Sequence, residues 1–149
     1  MKERISLQIV ENRLILPAVI ECASLRVRRH LIEFVIDTGS PVSFLSLKDS
    51  MKLQISTKDR KQSGFINLGG SKYEQVSLRK FAFSLLDDDK KIIKIEVELF
   101  GLHSLKKTPE KIRLAETPPS ILGIDFLKNQ DFSLYVNPKE NISYLQKEQ

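Results

Sequence analysis

Tryptophan is absent from the 149 residues, cysteine occurs once, histidine twice, and glycine and proline six times each. A single thiol, Cys22, excludes an internal disulfide framework and a cysteine-based zinc centre; it is expected as an inert core residue in a reducing compartment. No window approaches the roughly 20 apolar residues that a membrane-crossing helix needs. The opening Met1-Lys2-Glu3-Arg4-Ile5-Ser6 lacks the apolar stretch of a secretory leader. Together these absences lead to the expectation of a cytoplasmic protein with no membrane partner. His30 and His103 stand alone, without a second His or an acidic pair at ligand spacing, so no metal and no cofactor is expected. Asp87-Asp88-Asp89 lacks the spaced ligands and closing Glu of a calcium loop and reads as a solvated turn. Asn141-Ile142-Ser143 matches a glycosylation sequon, which has no consequence in the cytoplasm.

What is present is ordinary for a globular chain: 41% hydrophobic and 29% charged residues. The length suits one domain spanning 1–149, with a core from about 5 to 145. Lys and Arg exceed Asp and Glu by 24 to 19, for a net charge of +5. The basic residues are scattered, with short knots only at Arg26–Arg29, Lys58–Lys61 and Lys90–Lys94. A committed nucleic-acid binder concentrates such charge on one face, so nucleic acid is not the favoured partner.

Period-two alternation dominates the chain. Ile5, Leu7 and Ile9 read as a strand, Glu11-Asn12 as a turn, and Leu14 to Ile20 as a second strand in which Pro17 marks an edge or bulge. A hairpin around Ala23–Arg29 should return through the apolar run Leu31–Ile36, a strand buried on both faces. Phe44-Leu45 suggests a short strand, and Ser46 with Asp49 suggests a capped helix over Leu47–Leu53. Residues 56–64 read as loop. Phe65–Leu68 and Lys72–Leu78 flank Gly69-Gly70, a pair that suits a two-residue hairpin turn because both glycines tolerate positive φ. Phe81, Phe83 and Leu85 alternate into the aspartate turn, and Ile93, Ile95, Val97 and Leu99 alternate out of it. Gly101–Ser120, with Pro109, Pro118 and Pro119, reads as a long surface connection with one helical turn near 110–114. A short helix is expected over Ile121–Asn129, then a hairpin from Phe132–Val136 through Asn137-Pro138 to Ile142–Leu145. The expected fold class is mostly β, a closed or strongly coiled sheet with one or two short helices.

The segment with most chemical content is Phe34-Val35-Ile36-Asp37-Thr38-Gly39-Ser40. An ionisable residue directly after a buried strand carries a desolvation cost unless hydrogen bonds or a shared proton offset it. The triplet Asp-Thr-Gly alone arises by chance in roughly one chain in thirty of this length, and it equally fits an Asp that opens a surface turn. The second segment, Ser120-Ile121-Leu122-Gly123-Ile124-Asp125-Phe126-Leu127, adds an apolar-apolar-Gly run far downstream.

Taken together, Asp37-Thr38-Gly39-Ser40, the hairpin Leu68-Gly69-Gly70-Ser71 and Ile121-Leu122-Gly123 resemble the retropepsin-like aspartic proteases. The order and approximate spacing match from about Ile5 to Leu145. The resemblance implies a single-domain acid-protease β-barrel with a flap hairpin. It implies that Asp37 is the catalytic aspartate and that Thr38, Gly39 and Ser40 support the loop and the dimer contact. Leu68, Gly69, Gly70 and Ser71 would form the substrate-covering flap, with Gly64 as a hinge, although a plain surface turn fits the same residues. Ile121, Leu122 and Gly123 would support the catalytic loop from behind. One such loop per chain implies a homodimer that brings two Asp37 carboxylates together, because peptide hydrolysis needs both a base for water and an acid for the carbonyl oxygen. The implied partner is a peptide or protein substrate in extended conformation. Two positions depart from the viral pattern: Ile124 stands where Arg commonly follows the supporting Gly, and Pro41 stands where acidic residues are common. Asp125, at the start of the expected helix, reads as a partner of the helix dipole. Two other function classes stay open: a binding or scaffold protein that keeps this fold without turnover, and a basic β-domain that binds nucleic acid.

Overall fold

The structure, a computed structural model, describes residues 3–57, 60–68, 71–104 and 118–148. The helical turn expected near 110–114 and the Gly69-Gly70 pair lie outside these residues. Among these residues, ten strands and two short helices follow in chain order: β1 Arg4–Ser6, β2 Gln8–Val10, β3 Arg13–Cys22, β4 Val27–Ile36, α1 Leu47–Lys52, β5 Gln62–Leu68, β6 Ser71–Leu86, β7 Ile92–Ser104, β8 Ile121–Leu122, α2 Ile124–Asn129, β9 Phe132–Asn137 and β10 Ile142–Lys147. Among the described residues, no helix is long and apolar enough to cross a membrane.

The strands form two sheets. A three-stranded sheet has the order β1-β10-β9, and a seven-stranded sheet runs β5-β6-β3-β4-β8 with β2 on β3 and β7 on β6. The expected single strand through Ile9 therefore divides at Leu7. Ile5 pairs with Leu145 in the small sheet, whereas Ile9 pairs with Leu14 in the large one. The Glu11-Asn12 turn holds, with both residues at positive φ, 50° and 62°. This is the primed-turn geometry that a tight hairpin demands. Pro17 sits where the flank of β3 passes from β2, which ends its pairing at Ile15, to β6, which begins at Val19. The missing N–H of proline falls in a gap between partners, which is why an otherwise central strand accepts it.

The core follows from alternation. Leu16, Ala18 and Ile20 of β3, Ile32, Phe34 and Ile36 of β4, Phe81, Phe83 and Leu85 of β6, and Val97 and Leu99 of β7 are buried in one cluster. Phe34 and Phe83 stack at a centroid distance of 5.2 Å. Each of the larger side chains, Ala18 apart, contributes about 1.5–3 kcal/mol on burial. Cys22 is buried and free, as expected of an inert core thiol. The aspartate turn between β6 and β7 does more than face solvent. Buried Asp87 accepts from the N–H groups of Asp89 and Lys91 at 2.9 and 2.8 Å. Asp88 accepts from Ser6 N–H at 2.8 Å and donates its own N–H to Arg4, latching β1 to the turn.

Several boundaries differ from the sequence expectation. β5 begins at Gln62, inside the stretch expected as loop, because Gln62 to Leu68 pair with Val76 to Ser71. β7 continues through Gly101 and Leu102 to Ser104 rather than ending in a surface connection. Gly101 permits this because its bare Cα lies under Thr57, Val76 and Leu78, where a Cβ would be 3.2–3.3 Å from their methyl groups. At the other end of the expected connection Ser120 is buried too. The strand expected at Phe44-Leu45 is reduced to Phe44, which bridges Phe100 of β7 on one side and Ile121 of β8 on the other. The expected helix over Ile121–Asn129 is correct only from Ile124: Ile121 and Leu122 pair in parallel with Val35 and Ile36 instead. An apolar pair before a helix carries no local mark of which element it joins, and tertiary pairing decides.

Candidate functional site

The site begins where β4 ends. β4 buries Ile32, Phe34 and Ile36 on one face, whereas Leu31 and Glu33 on the other are exposed and Val35 is half-buried, so the strand is not buried on both faces as its apolar run suggested; β8 lies beside its last two residues. Val35 N–H donates to Ser120 O at 2.9 Å and Asp37 N–H to Leu122 O at 3.0 Å. Asp37 is thus fixed by backbone bonds at the mouth of a parallel strand pair. Its carboxylate Oδ1 accepts from Gly39 N–H at 2.9 Å, and Ser40 N–H closes the turn on Asp37 O at 3.1 Å. Asp37 is half-buried, Thr38 and Gly39 are exposed, and Ser40 is buried. The loop therefore presents one carboxylate, with its amide donor, toward an open face.

Gly123 explains how the loop is held from behind. A Cβ built there would overlap Ser40 O and lie 2.7 Å from Val42 O. The chain from β8 into α2 passes directly under the backbone of residues 40–42, and only glycine fits. Gly123 N–H donates to Ser43 Oγ at 2.9 Å, and Ile124 N–H donates to Ser40 O at 2.8 Å. Ser40 Oγ in turn donates to Val42 O at 2.7 Å, tightening the same turn.

Ser43 and Asp125 form a brace that sequence reasoning missed. Asp125 accepts from Ser43 Oγ at 2.7 Å and from Ser43 N–H at 3.1 Å, while also accepting from Phe126 N–H. The carboxylate expected as a partner of the helix dipole is committed to a cross-loop contact as well. Its only signal in the sequence is the lone polar residue within Val42-Ser43-Phe44-Leu45. A second polar relay lies beside it. Ser46 Oγ caps α1 by accepting from Asp49 N–H at 3.0 Å, as the Ser-to-Asp spacing implied. The return half of that capping box is absent, because Ser120 intervenes: it accepts from Ser46 N–H at 2.8 Å and donates to Asp49 Oδ2 at 2.6 Å.

Asp37, Thr38, Gly39 and Ser40 therefore meet Ile121, Leu122 and Gly123, from opposite ends of the chain. The β5–β6 hairpin approaches the same region. Leu68 and Ser71 are register partners at its end, and Leu68, Ile66 and Val35 pack on a cluster of Phe44, Tyr73, Leu102 and Ile121. Gly64, the expected hinge, has φ of +143° with no atom near its missing Cβ, so it occupies a backbone conformation that favours glycine.

A solved structure, a retropepsin-like aspartic protease from Rickettsia conorii, superposes on this chain with a TM-score of 0.58. It does so over 99% of this chain and 92% of that one, at 16% sequence identity. The fold is retropepsin-like. No family model matches the chain, and no curated protein does. The similarity is thus one of backbone architecture. Among the described residues, no group of three or more His, Cys, Asp or Glu is arranged to hold a metal ion. His30 Nδ1 hydrogen-bonds the Arg28 carbonyl oxygen, and His103 Nδ1 lies 3.1 Å from Thr57 Oγ1.

Proposed function

We propose that this retropepsin-like chain is an aspartic endopeptidase that works as a homodimer, with Asp37 of each copy forming the catalytic pair. The observation that carries this reading is the position of Asp37. Its carboxylate sits at the end of a strand whose inner face is buried, oriented by Gly39 N–H, on a loop that Gly123 supports from below. A surface aspartate that merely opens a turn would not need a strand from the far end of the chain threaded beneath it. One copy supplies one such carboxylate. Two copies facing each other would place two carboxylates in contact, which cannot both ionise comfortably and so share a proton. The ionised member takes a proton from water as it attacks the peptide carbonyl, and the protonated member donates to the carbonyl oxygen.

In this reading Thr38, exposed beside Asp37, contacts its counterpart across the two-fold axis. Gly39 offers backbone to an extended substrate, and the β5–β6 hairpin with Leu68, Gly69, Gly70 and Ser71 is the flap. Substrate would lie as an added strand between flap and carboxylates. The seven-stranded sheet closes as a barrel through Phe44, whose bridges to Phe100 and Ile121 support that closure. The chain acts as one domain, in the cytoplasm.

The decisive experiment is cleavage of a diverse peptide library by the wild type and Asp37→Asn, from acidic to neutral pH and across protein concentrations. Asp37→Asn is expected to keep the fold and lose at least ~10²–10⁴ in turnover, the range for removing acid–base catalysis. Specific activity should rise with concentration as dimers form, and the pH profile should be bell-shaped. Cleavage by Asp37→Asn at the wild-type rate would overturn the assignment. A folded dimer that cuts nothing would point instead to a binding protein built on this fold.

A further inference from the structure

We propose that the end of the β3–β4 hairpin farthest from Asp37 carries a docking groove for an acidic, extended segment of a partner protein. Nothing in this inference depends on whether Asp37 is catalytic. A cavity of about 900 Å³ opens there, where Cys22 and the turn after it meet β6 and β7. At ~3.3 Å per strand residue, β4 sets this groove roughly 30 Å from the Asp37 loop.

The rim is basic and unneutralised. Among the described residues, Arg26, Arg28, Arg29 and Lys80 border the cavity against Glu21 and Glu96, and all four cations are exposed. None of the four makes an ion pair among the described residues. The arrangement is built by two irregularities. Arg26 takes a left-handed conformation, φ 57°, after the single turn Ala23–Leu25. The β3–β4 register then shifts, with Ile20 opposite His30 but Cys22 opposite Val27. Two adjacent arginines thus oppose Glu21 alone, in the manner of a bulge, which re-aims side chains at a strand edge. Cys22, Val27 and Ala82 also line the cavity, the first two as buried core residues and Ala82 as an exposed one.

The occupant follows from chemistry and shape. From Val27 to Phe34 the outer edge of β4 has no strand partner among the described residues, since β8 begins only opposite Val35. An extended peptide could add its backbone there beside Arg28 and Arg29, with Lys80 of β6 lying across β3 from it. The bulge and the arginines repel a second copy of the same edge, which is how sheets avoid self-pairing, but they attract a strand carrying carboxylates. A nucleic acid fits less well: among the described residues no aromatic side chain lines the groove for a base to stack on, and Glu21 and Glu96 oppose a phosphate chain.

The test is fluorescence anisotropy with the full chain and a labelled peptide of about twelve alternating Glu and Thr residues, a length that suits strand addition. A Gln-Thr peptide and an oligothymidylate of equal charge serve as comparators. The Glu-Thr peptide should bind, and binding should weaken as salt rises from about 50 to 300 mM. Arg28→Glu with Arg29→Glu should lose at least ~10-fold in affinity, and Lys80→Glu alone should lose about threefold. Lys48→Glu, on exposed α1, should bind as the wild type does. Since Lys80 lies on a different strand, the two variants also guard against a local loss of structure. The proposal is overturned if neither variant weakens binding, if the Gln-Thr peptide binds equally, if the Glu-Thr peptide does not bind, or if oligothymidylate binds more tightly.

Discussion

Gly123→Ala is the substitution for which the structure makes the strongest demand. Gly123 has φ −94° and ψ −165°, an extended conformation open to alanine. Backbone freedom alone would therefore favour the change by about 0.4–1 kcal/mol, through the unfolded chain. Space argues the other way. The new methyl would overlap Ser40 O, lie 2.7 Å from Val42 O and 3.1 Å from the Ser40 carbonyl carbon. All three are backbone atoms, so no rotamer change relieves them. Overpacking of this kind costs about 1–3 kcal/mol. Separating the two segments also stretches Gly123 N–H to Ser43 Oγ, now 2.9 Å, and Ile124 N–H to Ser40 O, now 2.8 Å. Each such bond contributes about 0.5–1.5 kcal/mol. The net expectation is a loss of roughly 2–4 kcal/mol, or a fall in Tm of roughly 5–15 °C for a chain of this size. Urea denaturation followed by far-ultraviolet circular dichroism suits a protein without tryptophan. Gly101→Ala is the internal comparator: its new contacts, at 3.2–3.3 Å, are with side-chain methyls that can shift, so its cost should be smaller. A Gly123→Ala protein as stable as the wild type, or more stable than Gly101→Ala, would refute the close approach of β8 to the Asp37 loop.

Two further changes probe the same architecture. Ser43→Ala removes the hydroxyl that donates to Asp125 Oδ1 at 2.7 Å and leaves Gly123 N–H without its acceptor; it should destabilise by about 1–3 kcal/mol. Unchanged denaturation would show that this brace contributes nothing. Thr38→Val should leave monomer stability intact and weaken self-association about tenfold, the worth of one hydrogen bond of about 1.4 kcal/mol, as measured by sedimentation equilibrium. An unaltered association constant would count against a cross-axis role for its hydroxyl.

Much of the β content was legible because it is written in alternation. Phe81, Phe83 and Leu85 against Ile93, Ile95 and Val97 specify a hairpin by period alone, and the structure pairs Phe81 with Val97, Phe83 with Ile95 and Leu85 with Ile93 across one aspartate turn. The α1 cap was legible for a similar reason: Ser46 and Asp49 are three residues apart, and the bond that caps the helix is local. Reading failed where a residue's partner lay far along the chain. Ile121 and Leu122 look like the first turn of a helix until Val35 and Ile36 claim them as a strand. Leu7 looks like the middle of one strand until Ser143 takes its N–H at 2.8 Å. Asp125 looks like a helix-terminus charge until Ser43 is brought within reach.

The amino-acid sequence carries the class of structure and the short motifs, because periodicity, turn chemistry and the residue types around Asp37 are local properties. It named Asp37, Gly39 and Gly123, but it could not place Gly123 under the backbone of Ser40 and Val42. That contact spans more than eighty positions and depends on two chain segments crossing at a distance no side chain would allow. Only the tertiary structure decided it, along with the Ser43–Asp125 brace and the bulge that sets Arg28 and Arg29 side by side. Hydrogen-bond geometry and excluded volume act between segments once the core has packed, and a linear reading contains neither.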